Sequence, residues 1–157
     1  MKKKTGIIIS SVAITSLLAV GGIIFAITLN ADKPFRLDDE YYATSEAITI
    51  TKSDYEQLIT DKKTFIVMID KPGCTTTQAM REYMSNFPAD MQFKYYRMMW
   101  QEVKNSSLHN FVKFTPSVAI IKNGEVKVWL QADRDEDTEY FNSAEALQSW
   151  IRKYIEF

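Results

Sequence analysis

Two apolar runs, "SVAII" (117–121) and "VKVWL" (126–130), are separated only by Lys122-Asn123-Gly124-Glu125. No other stretch of the chain constrains the fold as tightly. A two-residue turn of this kind needs positive φ at both central positions, which asparagine and glycine tolerate and most residues do not. Between apolar runs the pair therefore specifies an antiparallel hairpin. Upstream, "TFIVMI" (64–69) is apolar at almost every position. A strand with one wet face alternates, so a run without alternation belongs to a strand covered on both faces.

The remaining periodicity fills in the order. "AITIT" (47–51) is a short β-branched run, and Ser53 with Glu56 three residues later reads as a capping box ahead of Tyr55, Leu58 and Ile59. Ala79, Met80, Tyr83, Met84 and Phe87 fall at helical spacing, and Pro88 closes that helix. "FKYYRMMW" (93–100) is a third strand, with Met98, Met99 and Trp100 assigned to the core. Asn142, with Glu145 at the third position, caps a final helix whose buried stripe is Ala146, Leu147, Trp150, Ile151 and Tyr154. Helices between the early strands imply parallel crossovers, whereas the hairpin implies an antiparallel edge. The expectation is an α/β fold: a mixed sheet with helices on both faces.

The first thirty residues are of another kind. Lys2, Lys3 and Lys4 precede a stretch from Gly6 to Leu29 that contains no charge. As a helix those residues reach across the ~30 Å hydrocarbon layer of a bilayer. The stretch exceeds the apolar core of a cleaved signal peptide, and no small-x-small cleavage site follows it. We expect a cytoplasmic tail at 1–5, a transmembrane anchor at 6–29 and a polar stalk at 30–46. The domain at 47–157 then lies outside the cell membrane, by the bias of positive residues toward the cytoplasm.

Net charge is −1 for the whole chain, of which the three lysines contribute +3, so −4 remains for the rest. That balance offers no basic footprint for nucleic acid. No metal-ligand cluster, nucleotide loop or nucleophile elbow is present, and neither cofactor nor metal is expected. His109 is the only histidine and has no carboxylate or cysteine pattern around it, so it reads as a surface or helix-end residue. "DRDEDTE" (133–139) reads as a solvated loop.

The remaining chemistry lies in "KPGCTTTQAM" (71–80), where Cys74 is the only cysteine of the chain. The element order, "KPGC" after an apolar strand and "FTPSVAIIKNGEV" (114–126) together resemble the thioredoxin superfamily over residues 47–157. The resemblance implies a thioredoxin fold, with Cys74 as the nucleophilic cysteine and Pro116 as a cis-proline. It places Gly73, Thr75, Thr115 and Pro116 around a binding groove. It also exposes departures. Thr77 stands where the family carries its resolving cysteine, Met68 where it carries a buried acid, and Gly73 where it usually carries tryptophan. Among such proteins the anchored layout most resembles Gram-positive bacteriocin transport accessory proteins, with relatives in secretion and conjugation systems.

A dithiol oxidoreductase attacks a disulfide with one thiolate and resolves the mixed disulfide with the other. Thr77 performs no such step, so conventional dithiol turnover is excluded. Of two readings, the first is the expectation and the second its alternative. A non-redox accessory or scaffold subunit of an envelope export, secretion or conjugation system fits the loss of both second-half parts. Monothiol exchange or trapping of cysteine-containing clients fits a Cys74 whose acidity is raised by a helix N-terminus, by Lys71 and by the Thr77 hydroxyl.

Overall fold

The hairpin forms where the Asn-Gly pair places it. Asn123 and Gly124 have φ of 52° and 78°. They join β4 (Ser117–Lys122) to β5 (Glu125–Gln131), paired antiparallel from Ser117↔Gln131 to Lys122↔Glu125. The computed structural model describes residues 33–42 and 45–157. The expected tail at 1–5 and anchor at 6–29 lie outside the described residues. Among the described residues no helix is long and apolar enough to cross a membrane.

Ahead of the hairpin come β1 (Glu46–Ile50), α1 (Lys52–Thr60), β2 (Phe65–Asp70), α2 (Thr75–Ser85), β3 (Lys94–Met99) and the one-turn helix α3 (Trp100–Val103). After it comes α4 (Ala144–Arg152). The sheet runs β1-β3-β2-β4-β5. β3 pairs parallel with both β1 and β2, and β4 pairs antiparallel with β2. β2 is central, and all six of its residues are buried, as its unalternating composition requires. Its two faces carry different helices. Tyr55 of α1 packs edge-on against Phe65 on one, while Arg81 of α2 bonds Asp70 on the other. Met80 and Met84 of α2, and Leu147, Trp150 and Ile151 of α4, are buried in the core.

Several local expectations need correction. The capping box of α1 is Thr51 with Asp54, not Ser53 with Glu56. The shorter aspartate closes the reciprocal bonds at the earlier turn, and Glu56 is drawn away to accept from the backbone and hydroxyl of Ser107. Ser143, not Asn142, caps α4, accepting from the Ala146 amide. Met98 is in the core, but Met99 and Trp100 are only half-buried.

The stalk also differs. Residues 34–42 are a strap laid on the domain rather than a polar spacer. Phe35 makes a parallel bridge to Ile155, donating to the Tyr154 carbonyl at 2.9 Å and accepting from the Glu156 amide at 3.0 Å. Leu37 and Tyr41 are buried at 3% and 2% exposure, and the Asp38 amide donates to the Thr64 carbonyl. Two apolar side chains on nine residues outweigh the charges beside them, because each full burial is worth ~1.5–3 kcal/mol.

Candidate functional site

The register brings the C-terminal ends of β2, β3 and β5 and the N-terminal end of β4 to one edge of the sheet: Asp70 faces Met99, Ile69 faces Ser117, and Ser117 faces Gln131. Everything that follows those strand ends meets there. After Asp70, the chain turns through Lys71-Pro72-Gly73, closed by the Cys74 amide donating to the Lys71 carbonyl at 3.4 Å. Gly73 has φ of 76° with no atom within 4 Å of where a Cβ would stand, so conformation rather than crowding selects glycine. Cys74 is the N-cap of α2, with extended backbone.

The site has two layers. Cys74 is partly exposed, while Thr77, one turn into α2, is fully buried and its hydroxyl makes no hydrogen bond of normal geometry. The Cys74 thiol is held below its ordinary pKa, first by the Thr77 hydroxyl, then by the Thr77 and Thr76 amides and the positive charge of Lys71. Partial desolvation opposes these effects and is outweighed. The geometry explains the order. An otherwise orphaned buried hydroxyl gains a strong acceptor when the sulfur ionises, and the free amides of the first helical turn point the same way. Below α2, Asp70 is fully buried and holds Arg81 through two hydrogen bonds of 2.9 and 2.5 Å, with the Arg97 guanidinium at 3.4 Å. This ion cluster fixes α2 to the end of β2 and so fixes where Cys74 sits.

Opposite Cys74 is the loop into β4. The Thr115–Pro116 peptide is cis, as the resemblance implied. Its loop is tied to β5: Lys113 donates its amide to the Gln131 side chain at 2.7 Å, and Ala132 donates to the Pro116 carbonyl at 3.3 Å. Gln131 in turn bonds Asp133 and the carboxylate of Asp137. Asp137 is buried and neutralised by Arg134, which also reaches the Trp129 carbonyl. The run 133–139 is thus not simply a solvated loop; most of it belongs to a 3-10 helix, Asp135–Phe141, pinned by one inward aspartate.

Between these walls lies a groove of about 980 Å³. Of the residues singled out from the sequence, Lys71, Cys74, Thr75, Thr115 and Pro116 line it, whereas Thr77 sits beneath it and Gly73 shapes the turn behind it. Trp100, Lys104, Lys113 and Phe141 also line it and carried no site motif, and Phe114, the first residue of the 114–126 segment, lines it beside them. His109 stays outside, packing edge-on against Trp100 with Nδ1 3.1 Å from the Val112 carbonyl oxygen. Among the described residues no group of histidine, cysteine and carboxylate side chains is arranged to hold a metal.

Neither a protein-family model nor a curated protein matches the sequence. Solved structures do match the architecture. A thioredoxin variant from Halobacterium salinarum superposes with a TM-score of 0.50 at 14% identity, covering 73% of this chain and 96% of the other. The domain has a thioredoxin-like fold. Reduced thioredoxin pre-protein from Schistosoma mansoni (TM-score 0.49, 18% identity, 71% and 100% coverage) and spinach chloroplast thioredoxin f (0.44, 15%, 65% and 96%) also match, with lower scores, and the fold statement does not rest on them. At these identities the likeness speaks for the thioredoxin-like fold alone, and the chemistry must be argued from the groove.

Proposed function

We propose that this thioredoxin-like domain is a monothiol exchange factor that captures cysteine-containing polypeptides through Cys74. The observation that carries the reading is the acidified, partly exposed thiol facing a large groove. A cysteine kept only for packing sits in apolar surroundings, which push its pKa up; that of Cys74 is pushed down. The Cys74 thiolate attacks one sulfur of a client disulfide, the client S–S bond breaks, and the other client sulfur leaves as a thiolate. Cys74 and the client are then joined by a mixed disulfide. A second thiolate, the client's own or that of another thiol compound, attacks the client-side sulfur and returns Cys74 as a thiolate. With the client's own thiolate the cycle shuffles a disulfide without net oxidation. Thr77 has no thiol to shorten the intermediate, so the mixed disulfide persists until an outside sulfur arrives.

A second reading, a non-redox scaffold, is favoured by one specific fact. Met68, fully buried, stands where thioredoxins carry the acid that serves the second thiol, so both parts of the resolving half are replaced. In either reading we propose that residues 6–29 anchor the domain on the outer side of the cell membrane, beside an export, secretion or conjugation system. The uncharged segment after three lysines supports this placement, and a tether raises local concentration without high intrinsic affinity. The test is Cys74→Ser in the native host, with transport as readout and non-reducing gels beside it. Loss of transport together with loss of a client-sized mixed disulfide supports capture. Unchanged transport with a folded, abundant variant overturns it in favour of the scaffold.

A further inference from the structure

The groove has a charge pattern that the chain as a whole does not. Three lysines, Lys71, Lys104 and Lys113, line it, with no aspartate or glutamate among the described lining residues. All three are exposed, although residues 5–157 carry a net −4. Two are held in place: the Lys104 ammonium lies 5.5 Å from the Trp100 ring centroid, and the Lys113 ammonium donates to the His109 carbonyl. Beside them Phe114 is 47% exposed and offers an apolar surface at the groove.

The sheet order gives this charge a direction. Lys104 follows β3, Lys71 follows β2 and Lys113 precedes β4, whereas the exposed acids Asp133, Asp135, Glu136 and Glu139 follow β5, with Asp133 linked through Gln131 to the Lys113 amide and the other three farther along the chain. Positive charge therefore fills the β3–β2–β4 end of the groove, and negative charge stands beyond the β5 end.

We propose that the groove takes an extended, acidic stretch of polypeptide, laid across the strand ends with its carboxylates over Lys71, Lys104 and Lys113 and an apolar side chain on Phe114. The proposal names the client class for the groove described above and rests on that reading for the groove's role, but the contact it describes is non-covalent. Acidic residues beside a client cysteine are drawn to the lysine end, and basic ones are repelled there. The same lysines steer acidic clients to Cys74 before any bond forms.

Binding is measured on the full chain in non-ionic detergent carrying Cys74→Ser, so that no disulfide contributes. The probes are short fluorescein-labelled peptides with a central phenylalanine flanked by glutamates, by serines or by lysines. The glutamate probe should bind about tenfold more tightly than the serine probe, the yield of three weak rim contacts. Its affinity should fall as salt rises. Lys71→Gln/Lys104→Gln/Lys113→Gln, with unchanged circular dichroism, should erase the difference. Equal binding of the three probes, or a glutamate preference that survives the triple variant, overturns the proposal. So does a salt-sensitive self-association that competes with the glutamate probe, because the occupant is then a second copy. If the glutamate preference holds while intact protein forms no mixed disulfide with a version of that probe whose cysteine is already in a disulfide with a small neutral thiol, which Cys74 would displace as a thiolate, the charge assignment stands and the thiol reading falls. The converse result separates them the other way.

Discussion

Thr77 serves the site at a cost to the fold. Its hydroxyl is fully buried and makes no hydrogen bond of normal geometry, which is destabilising, yet it is the main cause of the lowered pKa of the Cys74 thiol. Thr77→Val should therefore act in two directions. Unfolding in urea at a pH below thiol ionisation should show a gain of about 1 kcal/mol, from removal of an unsatisfied buried oxygen. The midpoint of iodoacetamide alkylation against pH should move up toward that of an ordinary thiol. The sign follows from linkage: a depressed folded pKa means stabilisation that is present above the unfolded pKa and lost as pH falls through the folded one. A midpoint that stays put or moves down would remove the Thr77 hydroxyl from the account. At this scale Cys74, Lys71 and Thr77 were legible in the sequence, because helix position and residue type alone assign them their effects. Trp100, Lys104, Lys113 and Phe141 were not, since only the order of strands in the sheet brings them beside Cys74.

Among the elements, those marked by local stereochemistry were the readable ones. The turn at Asn123-Gly124 and the unalternating β2 follow from backbone preference and burial, which act over a few residues. The caps of α1 and α4 were displaced because several adjacent polar residues compete for each helix start, and distant partners such as Ser107 decide which is free. The strap at 34–42 was hidden because it combines irregular backbone with a single 3-10 turn, Asp39–Tyr41, and is too short to show a period. The run at 133–139 was misread because charge counting does not reveal which aspartate meets Arg134. The hairpin turn has one more role than its sequence showed: a Cβ on Gly124 would collide with the Ile59 carbonyl oxygen, and the Gly124 amide donates to the Lys63 carbonyl at 3.0 Å. The turn is thus docked on the loop after α1 as well as bent. Gly124→Ala should cost at least ~1–2 kcal/mol from the left-handed conformation alone, with the backbone collision added. Chemical denaturation measures it, and a loss well under 1 kcal/mol would mean that the turn is not held against α1.

For the whole molecule, the strap sets the true edge of the domain. A fragment beginning at Glu46 lacks Leu37 and Tyr41 from the core and the bridge between Phe35 and Ile155. Compared with a fragment beginning at Lys33, it should lose several kcal/mol, from two full burials at ~1.5–3 kcal/mol each. Thermal unfolding of the two fragments checks this; equal midpoints would return the strap to the status of a spacer.

The strap also enters at a telling place. It is joined to Thr64, just before β2, and Phe35 lies under the Lys122 ammonium at the hairpin end of β4, whereas Cys74 follows the opposite end of β2, about 20 Å away at 3.3 Å per residue. A tether holding the chain before Pro34 and a client joined to Cys74 would thus pull on the domain from opposite poles. The tension would run lengthwise along β2, which is flanked by β3 on one side and β4 on the other. Both ladders of hydrogen bonds would be loaded together, in shear, instead of being unzipped one at a time.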